Sequence, residues 1–325
     1  MLETIAEIGE LALIERLKPY CAEVGDDGAL VTVEPGYRLV VTTDVLVEGV
    51  HFSDHTTPPH SVGWRSVAAN LSDIAAMGGA PLGLTVGLGL PPQTSWQWVE
   101  ELYRGMADCL NRYGGAIVGG DLCRANQPTV SITALGQVRS PQAIYRHTAK
   151  PGMSIVVTGA HGLSRAGLAL LLASEAPANK TMSDWIKAHQ YPVPRFDAIA
   201  HLQKIAQSTD PYPAVAGMDS SDGLANALLQ ISQQSQVGMD VERSRLTISQ
   251  NLTAFAGFEK ALEWTLYGGE DFELLLCLPP EVASQMVADI RGAALIGTVT
   301  DTQTVRLTNS DGSSLPLTHR SFQHF

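Results

Sequence analysis

The chain has 325 residues, 45% of them hydrophobic, with a mean hydropathy of +0.05, enough to bury one large core or two of ordinary domain size. Its 33 acidic residues outnumber 21 basic ones for a net charge of −12, which excludes a nucleic acid held by a basic surface. The longest apolar run, Ala166 to Ala173, is far short of the roughly 20 residues of a membrane span.

Met1 to Leu17 sets Glu3, Glu7, Glu10 and Glu15 among apolar residues without a basic start, so it reads as an amphipathic helix rather than a signal peptide. Cys21, Cys109, Cys123 and Cys277 are far apart in sequence and read as reduced thiols of a cytoplasmic protein. Alternation then predicts a strand over 38–43, a helix over 61–77, a strand over 82–90, a helix over 95–113 behind a Thr/Ser cap, and strands near 116–118 and 130–138. Lys150-Pro151-Gly152 turns the chain into a second series. It comprises a strand over 154–158, a helix over 163–173, a polar stretch over 174–184, a helix over 196–206 opened by Pro192-Val193-Pro194-Arg195, and a strand over 214–218 feeding a helix over 224–235. A buried strand over 272–278, a helix over 282–290 and strands near 293–299 and 304–307 complete it. Both halves are α/β in this reading.

Six acid-bearing turns stand at the ends of these apolar runs: Gly25-Asp26-Asp27, Thr42-Thr43-Asp44, Asn70-Leu71-Ser72-Asp73, Gly119-Gly120-Asp121, Asp219-Ser220-Ser221-Asp222-Gly223 and Gly268-Gly269-Glu270-Asp271. Carboxylates and hydroxyls gathered at loops are ligands for a hard cation such as Mg²⁺, which brings phosphate chemistry with it. Each turn also has a plain reading. Thr42-Thr43-Asp44 would serve as a strand-ending turn with an aspartate cap, Gly119-Gly120 as a tight turn, and one aspartate of the Asp219–Asp222 segment as a helix cap. Asp73 falls one helical turn from Asn70 and shares its face. His51, just past the Asp44 strand, is a candidate substrate contact. No Gly-x-x-x-x-Gly-Lys-Ser/Thr loop, no kinase-type His-Arg-Asp or Asp-Phe-Gly and no nucleophilic triad occurs, so a nucleotide has to be held by other means.

Taken in order, these motifs, with Gly28-Ala29, Glu48-Gly49-Val50-His51-Phe52, Ala76-Met77-Gly78 and Phe272-Glu273-Leu274 beside them, resemble the thiamine-monophosphate kinases, a family within the aminoimidazole ribonucleotide synthetase-like superfamily. The resemblance runs over nearly the whole chain. It implies a two-domain α/β (α+β) fold, with residues 1–139 as an ATP- and Mg-binding domain whose sheet is used for dimerisation and residues 140–325 as a C-terminal α/β domain completing the substrate site. It also implies an enzyme that phosphorylates thiamine monophosphate to thiamine diphosphate with ATP, as a homodimer, with several Mg²⁺ ions.

Carried over by motif, Asp27, Thr42, Thr43, Asp44, Asp73, Asp121, Asp219 and Asp222 would ligate metal. Tyr103, Gly120, Asp121, Arg146 and Ser221 would face ATP, Arg146 also offsetting developing charge. His51, Glu270 and Phe322 would face the thiamine moiety. Leu122-Cys123 and Ser220 depart from residue types common in the family. The acidic turns before and after Lys150 would form one composite site. The alternatives are another ATP enzyme of the superfamily and a Mg-dependent phosphohydrolase. The chain lacks the cysteine in a glycine-rich N-terminal loop of a selenophosphate synthetase and the terminal cysteine of a hydrogenase maturation protein.

Overall fold

A computed structural model of the chain describes residues 3–22, 28–174, 176–207, 209, 212–318 and 320. The chain divides into two units, Met1–Ile74 with Gly79–Ser140, and Ala75–Gly78 with Pro141–Phe325.

In the first unit the amphipathic N-terminus is two helices, α1 (Ile5–Ile8) and α2 (Glu10–Leu17). Thr4 caps α1 through a reciprocal bond with Glu7, and Gly9 at φ +80° ends it. There follow β1 (Tyr37–Val47), α3 (Pro59–Ala76), β2 (Ala80–Leu90), α4 (Trp96–Tyr113), β3 (Ile117–Arg124) and β4 (Thr129–Arg139). Ser95 Oγ caps α4 by accepting from Trp98 N. The strands form one sheet in the order β1-β4-β2-β3, parallel only between β2 and β3.

Along β1 the even-numbered Val40 and Leu46 are buried, whereas Leu39, Val41 and Val45 are 51%, 56% and 45% exposed. One face of this sheet is therefore packed and the other is open, the pattern of an antiparallel sheet covered on one side. Helices α3 and α4 touch backbone to backbone. A Cβ at Gly63 would stand 1.9 Å from Leu102 O, and one at Gly105 the same distance from His60 O, so only glycine fits at either place.

The second unit carries β5 (Ser154–Val157), α5 (Leu163–Leu172), α6 (Lys180–Gln190), α7 (Phe196–Ala206), β6 (Ala216–Asp219), α8 (Leu224–Ser235), β7 (Gly238–Glu242), α9 (Gln250–Ala256), α10 (Phe258–Tyr267), β8 (Leu274–Leu278), α11 (Pro280–Asp289), β9 (Ala294–Thr300), β10 (Val305–Thr308) and β11 (Ser314–Pro316). The sheet order is β11-β10-β7-β9-β5-β8-β6, with only β7 and β10 parallel. Both faces are covered. Leu275 and Cys277 of β8 enter one apolar cluster with Leu228, Ile231 and Met239, while Leu274, Leu276 and Leu278 enter another with Ile199, Leu202 and Met286. That double burial explains why β8 reads as an unbroken apolar run.

The fold is thus two mixed α/β units whose sheets are mainly antiparallel, the α+β form of the expected class. Four local expectations change. The polar 174–184 stretch leads into α6, begun by Asn179, whose Oδ1 accepts from Met182 N, and fixed by buried Trp185. Helices α9 and α10 and strand β7 were not anticipated. Thr42 to Asp44 and Gly119 to Asp121 lie inside β1 and β3 rather than at strand ends. The strand expected from Phe272 begins only at Leu274, because Glu270 and Phe272 have φ of +58° and +52°, which no strand accommodates. Among the described residues no helix is long and apolar enough to cross a membrane. All four cysteines are free, with Cys109 and Cys277 buried and Cys123 exposed.

Candidate active site

In the first unit the acidic residues are mounted on regular structure. Thr42 Oγ1 donates to Asp73 Oδ2 at 2.5 Å, and Asp44 N donates to Asn70 Oδ1 at 3.2 Å. Strand β1 and helix α3 thereby bring Thr42, Asp44, Asn70 and Asp73 together on the packed side of the sheet. Asn70 is fully buried and held in turn by its own Nδ2 on Ser66 O at 2.9 Å. Thr43 is not with them. The strand alternates faces, and the Thr43 hydroxyl meets Thr133 Oγ1 at 2.9 Å on the open face. Asp121 pairs in register with Gly87 on that open face. The three oxygens of Thr42-Thr43-Asp44, expected as one group, are divided between two faces.

His51 accepts Val47 N–H through Nδ1 at 3.1 Å, which leaves the proton of the neutral ring on Nε2. Tyr103 is 5% exposed, packs its ring 6.1 Å from that of Tyr20, and has its phenol pKa raised by desolvation. It sits in the core of the unit, near the start of β3, where Cys21 bridges to Ile117. Asp27 lies outside the described residues.

In the second unit the acids stand on loops at strand ends. Asp219 ends β6 at 3% exposure. Ser221 Oγ donates to Asp219 Oδ1 at 3.0 Å, and Asn226 Nδ2 approaches Asp222 Oδ2 at 3.4 Å. The cap of α8 is Gly223, with no side-chain cap bond, so neither aspartate is spent on capping. Ser220 N donates to Glu273 O at 2.8 Å, and Glu270 N to Ser221 O at 2.6 Å, which ties this turn to the Gly268–Glu273 loop. The approach is so close that a Cβ at Gly269 would lie 2.9 Å from Ser221 O, at a φ of +67°. Glu270 Oε2 stands 3.6 Å from the Nδ1 of buried His189. Arg146 turns its guanidinium to α8, donating to Gln230 Oε1 at 2.6 Å. Phe322 lies outside the described residues.

Behind these loops is a buried polar network that sequence reasoning passed over. Arg195 forms a two-bond fork with Asp197, donates to Thr158 O at 2.6 Å and pairs with Glu273. Thr158 Oγ1 donates to Glu273 Oε2 at 2.6 Å and accepts from Leu274 N at 2.8 Å. Desolvation raises the pKa of Glu273, partly offset by Arg195. It also pushes Asp271 up to about 7 against the two backbone N–H groups that the carboxylate accepts, Ser164 N at 2.9 Å and Gly162 N at 2.7 Å. His161 is 1% exposed, meets Ser220 Oγ at 2.9 Å, and is lowered by desolvation to about 4. Ser220, the position that departs from the family's common types, is therefore half of a buried polar pair. The partners in this network are 37 to 116 residues apart in sequence, beyond the reach of any local motif. The exception, Arg195 with Asp197, is two residues apart and carried only a helix-start signal.

The donors at hand are oxygens. Among the described residues no three His, Cys, Asp or Glu side chains are gathered into a metal site. The first unit offers two carboxylates, a hydroxyl and an amide, and the second two carboxylates three residues apart. That set fits Mg²⁺, which takes one or two carboxylates and keeps several waters, and it does not fit a soft or tetrahedral metal.

The chain matches the family models described as AIR synthase related protein, N-terminal domain, over residues 25–138 and AIR synthase related protein, C-terminal domain, over residues 150–309. It is accordingly an AIR synthase-related protein. Thiamine-monophosphate kinase of Synechococcus elongatus is 44% identical over 326 residues, spanning 99% of this chain and 98% of the relative, and that of Bacillus subtilis is 34% identical over 93% of each. The chain belongs to the thiamine-monophosphate kinase family. The solved structure of AaThiL complexed with AMPPCP and TMP superposes with a TM-score of 0.78 at 31% identity over 98% of both chains. The hydrogenase maturation protein HypE of E. coli, at 19% identity and a TM-score of 0.76 over 95% of this chain and 97% of that one, shares the fold.

Proposed function

We propose that the chain transfers the γ-phosphoryl group of ATP directly and in line to the phosphate of thiamine monophosphate, giving thiamine diphosphate and ADP. The observation that carries this reading is the full-length match to thiamine-monophosphate kinases, coupled to an acid-rich loop system. The attacking group is itself a phosphate oxygen with a second pKa near ~6, so at neutral pH it is largely deprotonated without help from a side chain. The difficulty is repulsion: two like charges ~4 Å apart cost about 4 kcal/mol at an effective dielectric near ~20. Bound Mg²⁺ supplies the charge that brings two polyanions together and steadies the transferring group.

Within this reading, Thr42, Asp44 and Asp73 would hold metal on the packed side of the N-terminal sheet, Thr43 and Asp121 would do so separately from the two edge strands of its open side, and Asp219 and Asp222 would do so in the second unit, with Asp27 completing the set. Gly120, Asp121, Ser221 and Arg146 hold the nucleotide. Tyr103, buried near the start of β3, would take part in the nucleotide site from the core. Arg146 would leave Gln230 to offset charge on the phosphates. His51, Glu270 and Phe322 hold the thiamine moiety, an aromatic face and a carboxylate both suiting its cationic ring. Leu39, Val41 and Val45, apolar and about half exposed on an edge strand, support dimerisation through the open sheet face. Four free cysteines accord with a cytoplasmic setting.

Product analysis tests the reading. With ATP, Mg²⁺ and thiamine monophosphate, thiamine diphosphate and ADP are expected in equal amounts and no phosphorylated side chain accumulates. Release of inorganic phosphate without thiamine diphosphate would instead assign a phosphohydrolase.

A further inference from the structure

Glu270 and Phe272 flank Asp271, and both hold a left-handed backbone at φ +58° and +52°. Such a conformation is strained for any residue but glycine and persists only where the surroundings over-determine it. The surroundings here are specific. Asp271 accepts from Gly162 N and Ser164 N with separate oxygens, at 2.7 and 2.9 Å, and so grips the first turn of α5. Ser164 Oγ meets His189 Nδ1 at 3.1 Å, and the same nitrogen stands 3.6 Å from Glu270 Oε2. The backbone of Glu270 is pinned by its N–H on Ser221 O at 2.6 Å. On the far side the loop is moored by Glu273 to Arg195 and Thr158.

We propose that Asp271 is a positioning residue for the thiamine-phosphate substrate: its grip on the start of α5 holds the Gly268–Glu273 loop in its left-handed form and so aims the Glu270 carboxylate. Arg195, through Glu273, holds the other end of the same loop. The inference rests on the reading of Glu270 as a substrate contact. It predicts that Asp271 acts on substrate binding only by way of Glu270.

The test is a double-mutant cycle on the full chain with Glu270→Gln, Asp271→Asn and the pair, reading KM for thiamine monophosphate, KM for ATP and kcat, with thermal melts alongside. Each single change is expected to raise KM for thiamine monophosphate ~10-fold, with KM for ATP and kcat within about twofold, and the pair no more than ~20-fold, because the two act as one unit. A pair near the ~100-fold product of independent effects overturns the inference. If Glu270→Gln raises KM and Asp271→Asn does not, the positioning inference fails and the substrate reading stands. If Glu270→Gln leaves KM unchanged, the substrate reading fails and the inference with it. Should Asp271→Asn not fold, Arg195→Lys runs the same cycle. A shift of ~3-fold that vanishes in the Glu270→Gln background supports the inference, and one that persists there overturns it.

Discussion

The two sheets solve the placing of acidic residues in opposite ways. The first unit, bare on one face, carries Thr42, Asp44 and Asp121 in the middle of hydrogen-bonded strands and Asp73 on a long helix, so the ladder and the helix supply the rigidity. The second unit, buried on both faces, carries Asp219 at the last ladder pair of β6 and Asp222 and Glu270 on loops beyond the strand ends. There a network of Arg195, Glu273, Asp271, His161 and Ser220 takes over. Acid residues on regular elements need few helpers, whereas those on loops need buried polar scaffolding and inherit its cost.

The largest expected effect separates function from scaffold in the first unit. Asp44→Asn should lower kcat/KM by on the order of 100-fold or more while leaving the melting temperature nearly unchanged, because the strand is fixed by its backbone pairing and not by that carboxylate. Steady-state assays with circular-dichroism melts check both halves. In the second unit the order reverses. Arg195→Ala leaves Glu273 charged and unpaired in the interior, and should destabilise the unit by about 3–5 kcal/mol in chemical denaturation. A loss under ~1 kcal/mol would mean that the loop does not depend on the network.

A third change tests the bare face. Val41→Asp, 56% exposed in the single chain, should cost a monomer little yet disrupt a dimer built on that face, so sedimentation should shift from two copies to one. An unaltered sedimentation coefficient would assign the face another role.

The smallest effect is in pH dependence and is read from two buried groups of the second unit. Asp271 is raised from 3.8 to about 7, so its folded state binds the proton more tightly than the unfolded state, and stability declines as pH rises from about 4 to about 7. His161 is lowered from 6.5 to about 4, so its contribution is present above pH 6.5 and is lost as pH falls through that window. Relative to wild type, Asp271→Asn should gain stability with rising pH and His161→Gln should gain with falling pH, as read by urea unfolding at pH 4.5 and 7. Slopes of the same sign would contradict the assignment.

How much of this was legible in the sequence follows the same division. In the first unit, strand alternation and helix periodicity place α3, α4, β2 and β4 to within two residues, stop β1 and β3 short and merge α1 with α2, and Asn70 with Asp73 is visible as an i, i+3 pair. The sequence did not reveal that Thr43 and Asp44 sit on opposite faces, because the run was read as a strand end when β1 continues to Val47. In the second unit the acidic turns were visible as motifs, but what holds them was not. Asp271 finds Gly162 at 109 residues' separation and His161 finds Ser220 at 59, and only the fold reports such contacts. Helix α6 was hidden by its polar surface, its apolar face being little more than Trp185 and Ile186 with buried His189.

The claim that the strand-mounted and loop-mounted acids serve one reaction is tested most directly by thiamine diphosphate formation in Asp44→Asn, Asp222→Asn and the double variant. If both groups act in one transfer, each single change lowers kcat by on the order of 100-fold and the pair falls little below the worse of the two. Near-wild-type turnover in either single variant would contradict the account.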